Sequence, residues 1–294
     1  MELFRGAGVA LITPFHEDKS VNYEMLEKLV ERQIENKTDA IIVCGSTGEP
    51  ATMSEEERLS VISRVVKCTD HRIPVIAGTG SNTTEGAAAF TKKVSDLGVD
   101  GMLVVTPYYN KATQNGLYEH YKLIAAQTDR PIIMYNVPSR TGCNLLPQTA
   151  VRIANDCPNV VGIKEASGNL SQVARLAKLA QGRLAIYSGN DDQIVPVLSL
   201  GGVGVISVLS NVVPKETHDM VISFLNGDLS TAKDMQLQYL DLIDALFSEV
   251  NPIPVKAAMQ LLGYDAGGLR LPLTEIEEEH RRELADVMRN LGII

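Results

Sequence analysis

Short apolar runs rich in β-branched residues alternate with amphipathic stretches through the first three quarters of the chain. The runs are Val9 to Ile12, Ala40 to Val43, Pro74 to Ala77, Met102 to Val105, Ile132 to Tyr135, Val160 to Lys164, Leu184 to Tyr187 and Gly204 to Val208. They lack polar–apolar alternation, so each is expected to be a strand covered on both faces, as in a parallel sheet. Between them, Tyr23 to Gln33, Glu55 to Val66 and Gly116 to Ala126 read as helices, the pattern of strands joined by crossover helices. Ser54 and Glu57 stand at capping-box spacing, which sets the start of the second of these helices. Eight such units favour a closed α/β (β/α)8 TIM barrel over an open doubly wound sheet, and a barrel places its chemistry at the C-terminal strand ends.

After about residue 224 the pattern changes. Leu229 to Phe247 carries helical spacing with no strand after it, Pro252 and Pro254 interrupt, and Val255 to Leu262 resumes as helix. Thr274 and Glu277 repeat the capping-box spacing and predict the start of the last helix. The expected organisation is a barrel over 1–224 that carries the site, followed by a C-terminal helical domain over 225–294.

Composition narrows the function classes. At 294 residues and 45% hydrophobic content the chain can bury a large core without staples. Its net charge of −9 argues against nucleic acid or an anionic membrane as the main partner, so an anionic substrate would need a local cluster of positive charge. Met1 to Gly6 lacks the charged and apolar regions of a signal peptide, and a cytoplasmic protein is expected. Cys44, Cys68, Cys143 and Cys157 show no paired spacing and read as reduced thiols in or near the core. The five histidines are scattered without a metal-ligand pattern, so no catalytic metal is expected.

The candidate chemistry falls at predicted strand ends. Lys164 closes an apolar run, and lysine is costly to bury unless it is paired or neutralised. Burial would supply a neutral amine able to attack a carbonyl; pairing with Glu165 or another carboxylate at the sheet rim would leave it a structural cation. Gly45-Ser46-Thr47-Gly48-Glu49 offers hydroxyls and backbone N–H groups for a carboxylate, or is a glycine-rich turn bonded to itself. It lacks the ending of a phosphate loop, and Gly78-Thr79-Gly80 and Gly201-Gly202-Val203-Gly204 fail the dinucleotide fingerprint. Tyr108, Tyr109 and Tyr135 can relay protons or simply pack. Arg140 offers a planar fork to a carboxylate, or is a solvated surface charge. Together these groups suggest a lysine that forms an imine with a small keto acid, a hydroxyl relay, and an arginine for a second carboxylated substrate.

Ordered blocks along nearly the whole chain carry a resemblance. They are GVALITP at 8–14, GSTGE at 45–49, IPVIAGTGSN at 73–82, TPYYN at 106–110, YNVPSRTG at 135–142, GIKEASGN at 162–169, SGNDD at 188–192, GVISV at 204–208 and NPIPVK at 251–256. In these the chain resembles the dihydrodipicolinate synthase family of the pyruvate-dependent class I aldolases. The resemblance implies a barrel with a C-terminal helical domain, a homotetramer, and condensation of pyruvate with L-aspartate 4-semialdehyde on the route to diaminopimelate and lysine. It implies no metal or organic cofactor. Lys164 matches the Schiff-base lysine, Tyr135 the proton-relaying tyrosine, and Ser46 and Tyr109 its relay partners, with Tyr109 reaching in from a neighbouring subunit. Thr47 matches a ligand of the pyruvate carboxylate, Gly189 and Ile206 match positions offering main-chain groups, and Arg140 matches the receiver of the aldehyde's carboxylate.

Two departures stand out. Ser46 replaces a usual threonine, keeping the hydroxyl while losing χ1 restriction; GSTGE is also frequent in N-acetylneuraminate lyases, which typically lack the arginine of PSRTG. A sialate or 2-keto-3-deoxy sugar acid lyase is therefore the neighbouring reading, and a keto-acid-binding barrel without turnover a third. The second departure concerns the positions matching a lysine effector site, Pro50, Ala51, Glu55, Arg58, Asn82, Gly86 and Tyr108. Glu55 and Arg58 replace frequent histidines there and Gly86 lacks a carboxylate, so weak or absent lysine feedback is expected.

Overall fold

The computed structural model describes residues 2–294. Eight strands close into one parallel barrel in sequence order: β1 (Gly6–Ala10), β2 (Ala40–Val43), β3 (Val75–Gly78), β4 (Gly101–Val105), β5 (Ile132–Asn136), β6 (Val160–Glu165), β7 (Ala185–Ser188) and β8 (Gly204–Ser207). The expected runs coincide with these strands to within a residue or two, except at the first. There the strand is Gly6–Ala10 rather than Val9 to Ile12, because Gly6 and Gly8 supply strand backbone without any hydrophobic signal.

The barrel separates two apolar layers. Side chains of Phe4, Ile42, Ile76, Leu103, Ile133, Tyr187 and Ile206 form the interior cluster. Their strand neighbours Ile41, Val43, Val75, Ala77, Met102, Val104 and Ile163 belong to the larger cluster beneath the helices. Alternation of side chains across a pleated strand thus feeds two cores, which is why the strand sequences read as apolar throughout.

Around the barrel run α1 (Tyr23–Glu35), α2 (Glu55–Thr69), α3 (Thr84–Ser95), α4 (Gln114–Ala125), the single turn α5 (Pro138–Thr141), α6 (Pro147–Asp156), α7 (Leu170–Ala180), α8 (Ile194–Ser199) and α9 (Pro214–Leu225). The capping box opening α2 is present: Ser54 Oγ accepts from Glu57 N at 3.1 Å and Glu57 Oε2 accepts from Ser54 N at 2.9 Å. Cys44, Cys143 and Cys157 are buried and Cys68 half-buried, all as free thiols.

The C-terminal region contains α10 (Leu229–Gln238), α11 (Leu240–Leu246), α12 (Ile253–Leu261) and α13 (Glu278–Asn290). It departs from the expected pattern at two places. The stretch Leu229 to Phe247 is not one helix: it breaks at Tyr239, whose ring is buried and whose backbone leaves helical geometry at φ −93°, ψ 4°. The second capping box does not form, since α13 begins after Glu277 and no side chain among the described residues caps it. The N–H of Glu277 instead donates to Glu249 Oε1 at 2.8 Å, so a tertiary contact takes the group that Thr274 spacing would leave local. No helix among the described residues is long and apolar enough to cross a membrane.

A buried ion pair ties this region to the barrel. Lys256 of α12 donates to Glu49 Oε1 at 2.6 Å and to Gly268 O at 2.9 Å, and both side chains are almost wholly buried. The backbone N–H of Arg270 donates to the other Glu49 oxygen, while its guanidinium grips Glu57 with two hydrogen bonds. Glu49 adopts φ +52°, ψ 41°, a conformation that a non-glycine residue holds only when its surroundings impose it. It directly follows Ser46-Thr47-Gly48, so the same contacts fix the loop bearing both hydroxyls.

Candidate active site

Lys164 and Tyr135 are register partners on β6 and β5. Both therefore point to the same side of the sheet, into the barrel mouth, and Lys164 Nζ lies 4.5 Å from the Tyr135 ring centroid. A cleft of about 750 Å³ opens above them, lined among others by Thr47, Tyr135, Arg140, Lys164, Gly189 and Asp191. A second cavity of about 380 Å³, containing Ser46, Arg58 and Tyr108, shares Tyr135, Arg140 and Asn251 with the first.

Lys164 is only 6% exposed and makes no ion pair among the described residues. Glu165, the sequence's nearest candidate partner, faces the opposite side of β6. Its carboxylate accepts from Asn136 Nδ2, from the backbone N–H of Ser167 at 2.9 Å and from Gln172 Nε2. Pairing of Lys164 with Glu165 is thereby ruled out by strand alternation. Burial pulls the Lys164 ammonium down to about 8, with Arg140 adding to the effect and the negative charge of Asp191 opposing it. At pH 7 an amine with that pKa is roughly one-tenth neutral, against about one part in a few thousand for ordinary lysine.

Gly189 is required beside this lysine. A Cβ there would fall 2.6 Å from Ala166 Cβ and 3.0 Å from Lys164 Cε, so any side chain would displace the amine. Burial also raises the Tyr135 phenol above its ordinary value, countered by Arg140 and then by Ser46. The phenol thus stays protonated in the resting site, with a hydroxyl and a guanidinium beside it. Arg140, on the turn α5, donates through Nη2 to the backbone carbonyl of Asn251 at 3.1 Å, which leaves other N–H groups of its fork to meet an anion.

The remaining sequence candidates separate. Thr47 reaches the cleft and is 3% exposed. Ile206 is buried in the interior cluster, and Val208 two residues on lines the cleft. Tyr109 stands outside both cavities, 88% exposed at φ +76°.

Two residues carry signals that were visible in sequence only as parts of longer blocks. Asp191, in SGNDD, is buried with its Oδ2 accepting from Val208 N and Leu209 N, both at 2.9 Å; its buried Oδ1 has no partner among the described residues. Burial raises its carboxyl, opposed by those N–H donors, Ser207 and Lys164. Asn251, in NPIPVK, lies on the C-terminal segment that forms one wall of the cleft together with Ile243, Asp244, Phe247 and Val250.

A lysine held mostly desolvated at the C-terminal mouth of a (β/α)8 barrel, with a phenol against it and a guanidinium nearby, defines an aldolase-type barrel of the Schiff-base class. Residues 3–291 match the model of the dihydrodipicolinate synthetase family, and the chain belongs to that family. It is 56% identical over 294 residues to the 4-hydroxy-tetrahydrodipicolinate synthase of Lachnoclostridium phytofermentans, covering 100% of both chains. The crystal structure of the dihydrodipicolinate synthase of Thermotoga maritima superposes with a TM-score of 0.98 at 46% identity, covering 100% of both chains. That of the chloride-inhibited dihydrodipicolinate synthase of Acinetobacter baumannii, complexed with pyruvate, superposes with a TM-score of 0.96 at 44% identity, covering 99% of both.

Proposed function

We propose that the chain is a 4-hydroxy-tetrahydrodipicolinate synthase, a lyase that joins pyruvate to L-aspartate 4-semialdehyde through a Schiff base on Lys164. The observation that carries this reading is a buried lysine without a carboxylate partner among the described residues, facing a cleft that also holds Arg140 and Thr47. Neutral Nζ attacks the keto carbon of pyruvate, and the resulting carbinolamine takes up one proton as water leaves, giving a protonated imine. The imine withdraws electrons from the methyl carbon, which loses a proton and attacks the aldehyde. Tyr135 relays protons with Ser46, while Thr47 and main-chain groups at Gly189 and Ile206 hold the keto acid. Arg140 receives the carboxylate of the aldehyde substrate.

Tyr109 completes the relay from a neighbouring copy in a homotetramer, which the 88% exposure of this large ring in a single chain supports. Residues 1–224 and 225–294 are read as the barrel and its helical domain, with Asn251 and its neighbours bringing the second against the mouth of the first.

Incubation with pyruvate and borohydride, followed by peptide mass mapping, should trap the reduced adduct on Lys164. Aspartate semialdehyde should then turn over faster than sugar aldehydes. No adduct on Lys164 would sink the reading, and preference for a sugar aldehyde would replace it with the sialate-lyase alternative. Arg140→Ala should lower kcat/KM for the aldehyde by a factor of order 10² with little change in adduct formation. Equal loss of both would contradict the role given to Arg140.

Feedback by lysine should be weak. Arg58 lies over the Phe90 ring at 3.8 Å and donates to Gly78 O at 3.2 Å, keeping a positive charge in the cavity with Pro50, Ala51 and Tyr108. Glu55 is engaged in an ion pair with Lys93. An arriving ammonium would meet a guanidinium there and gain no carboxylate from Gly86. Initial rates should be unchanged at submillimolar lysine; strong inhibition in that range would refute this.

A further inference from the structure

We infer that Asn251 is a positioning residue for the keto-acid carboxylate, acting through Thr47; this rests on the synthase reading above. Asn251 is 6% exposed and lines both cavities. Its Nδ2 donates to Thr47 Oγ1 at 2.9 Å across 204 residues of sequence. Its backbone carbonyl accepts from Arg140 at 3.1 Å. One residue of the C-terminal segment therefore touches both of the side chains assigned to substrate carboxylates.

The polarity of the first contact gives it a consequence. A threonine hydroxyl has one proton and two acceptor lone pairs. Because Asn251 occupies the acceptor side, the Thr47 proton has no acceptor among the described residues and is free to point into the cleft. An O–H whose oxygen already accepts a hydrogen bond is also the better donor, and a carboxylate is the acceptor that gains most from it. The opposite amide orientation would make Asn251 the acceptor of that proton and leave the cleft without it. Asn251 Oδ1 is buried without a partner among the described residues, so the amide's one side-chain contact within the chain is the bond it donates to Thr47.

The two contacts of Asn251 are separable, since only the first uses the side chain. Asn251→Ala should raise the pyruvate concentration for half-maximal borohydride-trapped adduct roughly tenfold, with kcat at saturation and the aldehyde KM within about twofold. Thr47→Val should raise the same concentration, and Asn251→Ala should add nothing in the Thr47→Val background. In a Thr47→Ser background, which keeps the hydroxyl, Asn251→Ala should again cost roughly tenfold. If Asn251→Ala fails to fold, Asn251→Asp removes the same donor at nearly equal volume and should raise the half-saturating concentration at least as much. An additive double mutant, or equal increases for pyruvate and aldehyde, would overturn the inference. Adduct in the wild type with unchanged half-saturation in Asn251→Ala would overturn it alone; absence of any wild-type adduct would overturn it together with the synthase reading.

Discussion

Lys164→Met should abolish the pyruvate adduct and lower turnover by at least about 10³-fold, while making the folded chain more stable. The two effects have one origin. Burial holds the amine at about 8 against an ordinary 10.5, so folding at neutral pH carries the cost of desolvating a charge. At about 1.4 kcal/mol per pKa unit that gap corresponds to ~3 kcal/mol, and the largest part of it should be recovered when methionine replaces lysine.

The pH dependence fixes the cause. A lysine whose folded pKa lies below its unfolded one destabilises the fold fully below about pH 8. The penalty fades as pH rises toward the ordinary value, so the stability gain of Lys164→Met should be largest near pH 7 and shrink by pH 10. Denaturant unfolding of both proteins at the two pH values measures it, and a gain independent of pH would show that packing, not charge, is responsible. Wild-type adduct formation should climb with pH toward about 8 and then level as the amine becomes neutral.

The second large effect is expected at Lys256, where the charge is paired. Burial lowers this lysine below its ordinary value, but Glu49 opposes the shift through charge and a hydrogen bond. Lys256→Met leaves Glu49 buried without its cation, and loss of one partner from such a pair typically costs about 3–5 kcal/mol. Removing both charges in Lys256→Met/Glu49→Gln should restore a large part of that loss, because the penalty belongs to the orphaned carboxylate rather than to the missing attraction. Because Glu49 follows the Ser46–Gly48 turn in a left-handed conformation, the single variant should also bind pyruvate more weakly. Thermal unfolding monitored by circular dichroism, with adduct titration, tests both parts. A single variant as stable as wild type would show that water or relaxation already compensates Glu49.

Two lysines with similar local sequence end in opposite environments. Both follow apolar residues, at Ile163-Lys164 and Val255-Lys256, and both become buried. Strand alternation turns Lys164 into the barrel mouth, where no carboxylate of the described residues meets it at ion-pair distance, and turns its neighbour Glu165 outward to amide partners. Helix α12 instead brings Lys256 against Glu49, more than 200 residues earlier. Nothing local distinguishes the lysine proposed to form the Schiff base from the structural one; the difference is the partner supplied by a distant element.

By itself the sequence determined the eight β/α units, the switch to helices near residue 224, the capping box at Ser54 and the set of polar groups at the strand ends. Those features depend on local periodicity and on hydrogen bonds between near neighbours, and such information is written residue by residue. Tertiary structure alone decided that β1 begins at Gly6, that the helix breaks at Tyr239, and that Glu277 is claimed by Glu249 in place of a local cap. It also decided that Asn251 and Thr47 meet in one cleft and that Tyr109 is left outside it. Those outcomes depend on which distant groups a closed barrel brings within hydrogen-bond reach, and on how far burial raises the cost of a charge left alone there.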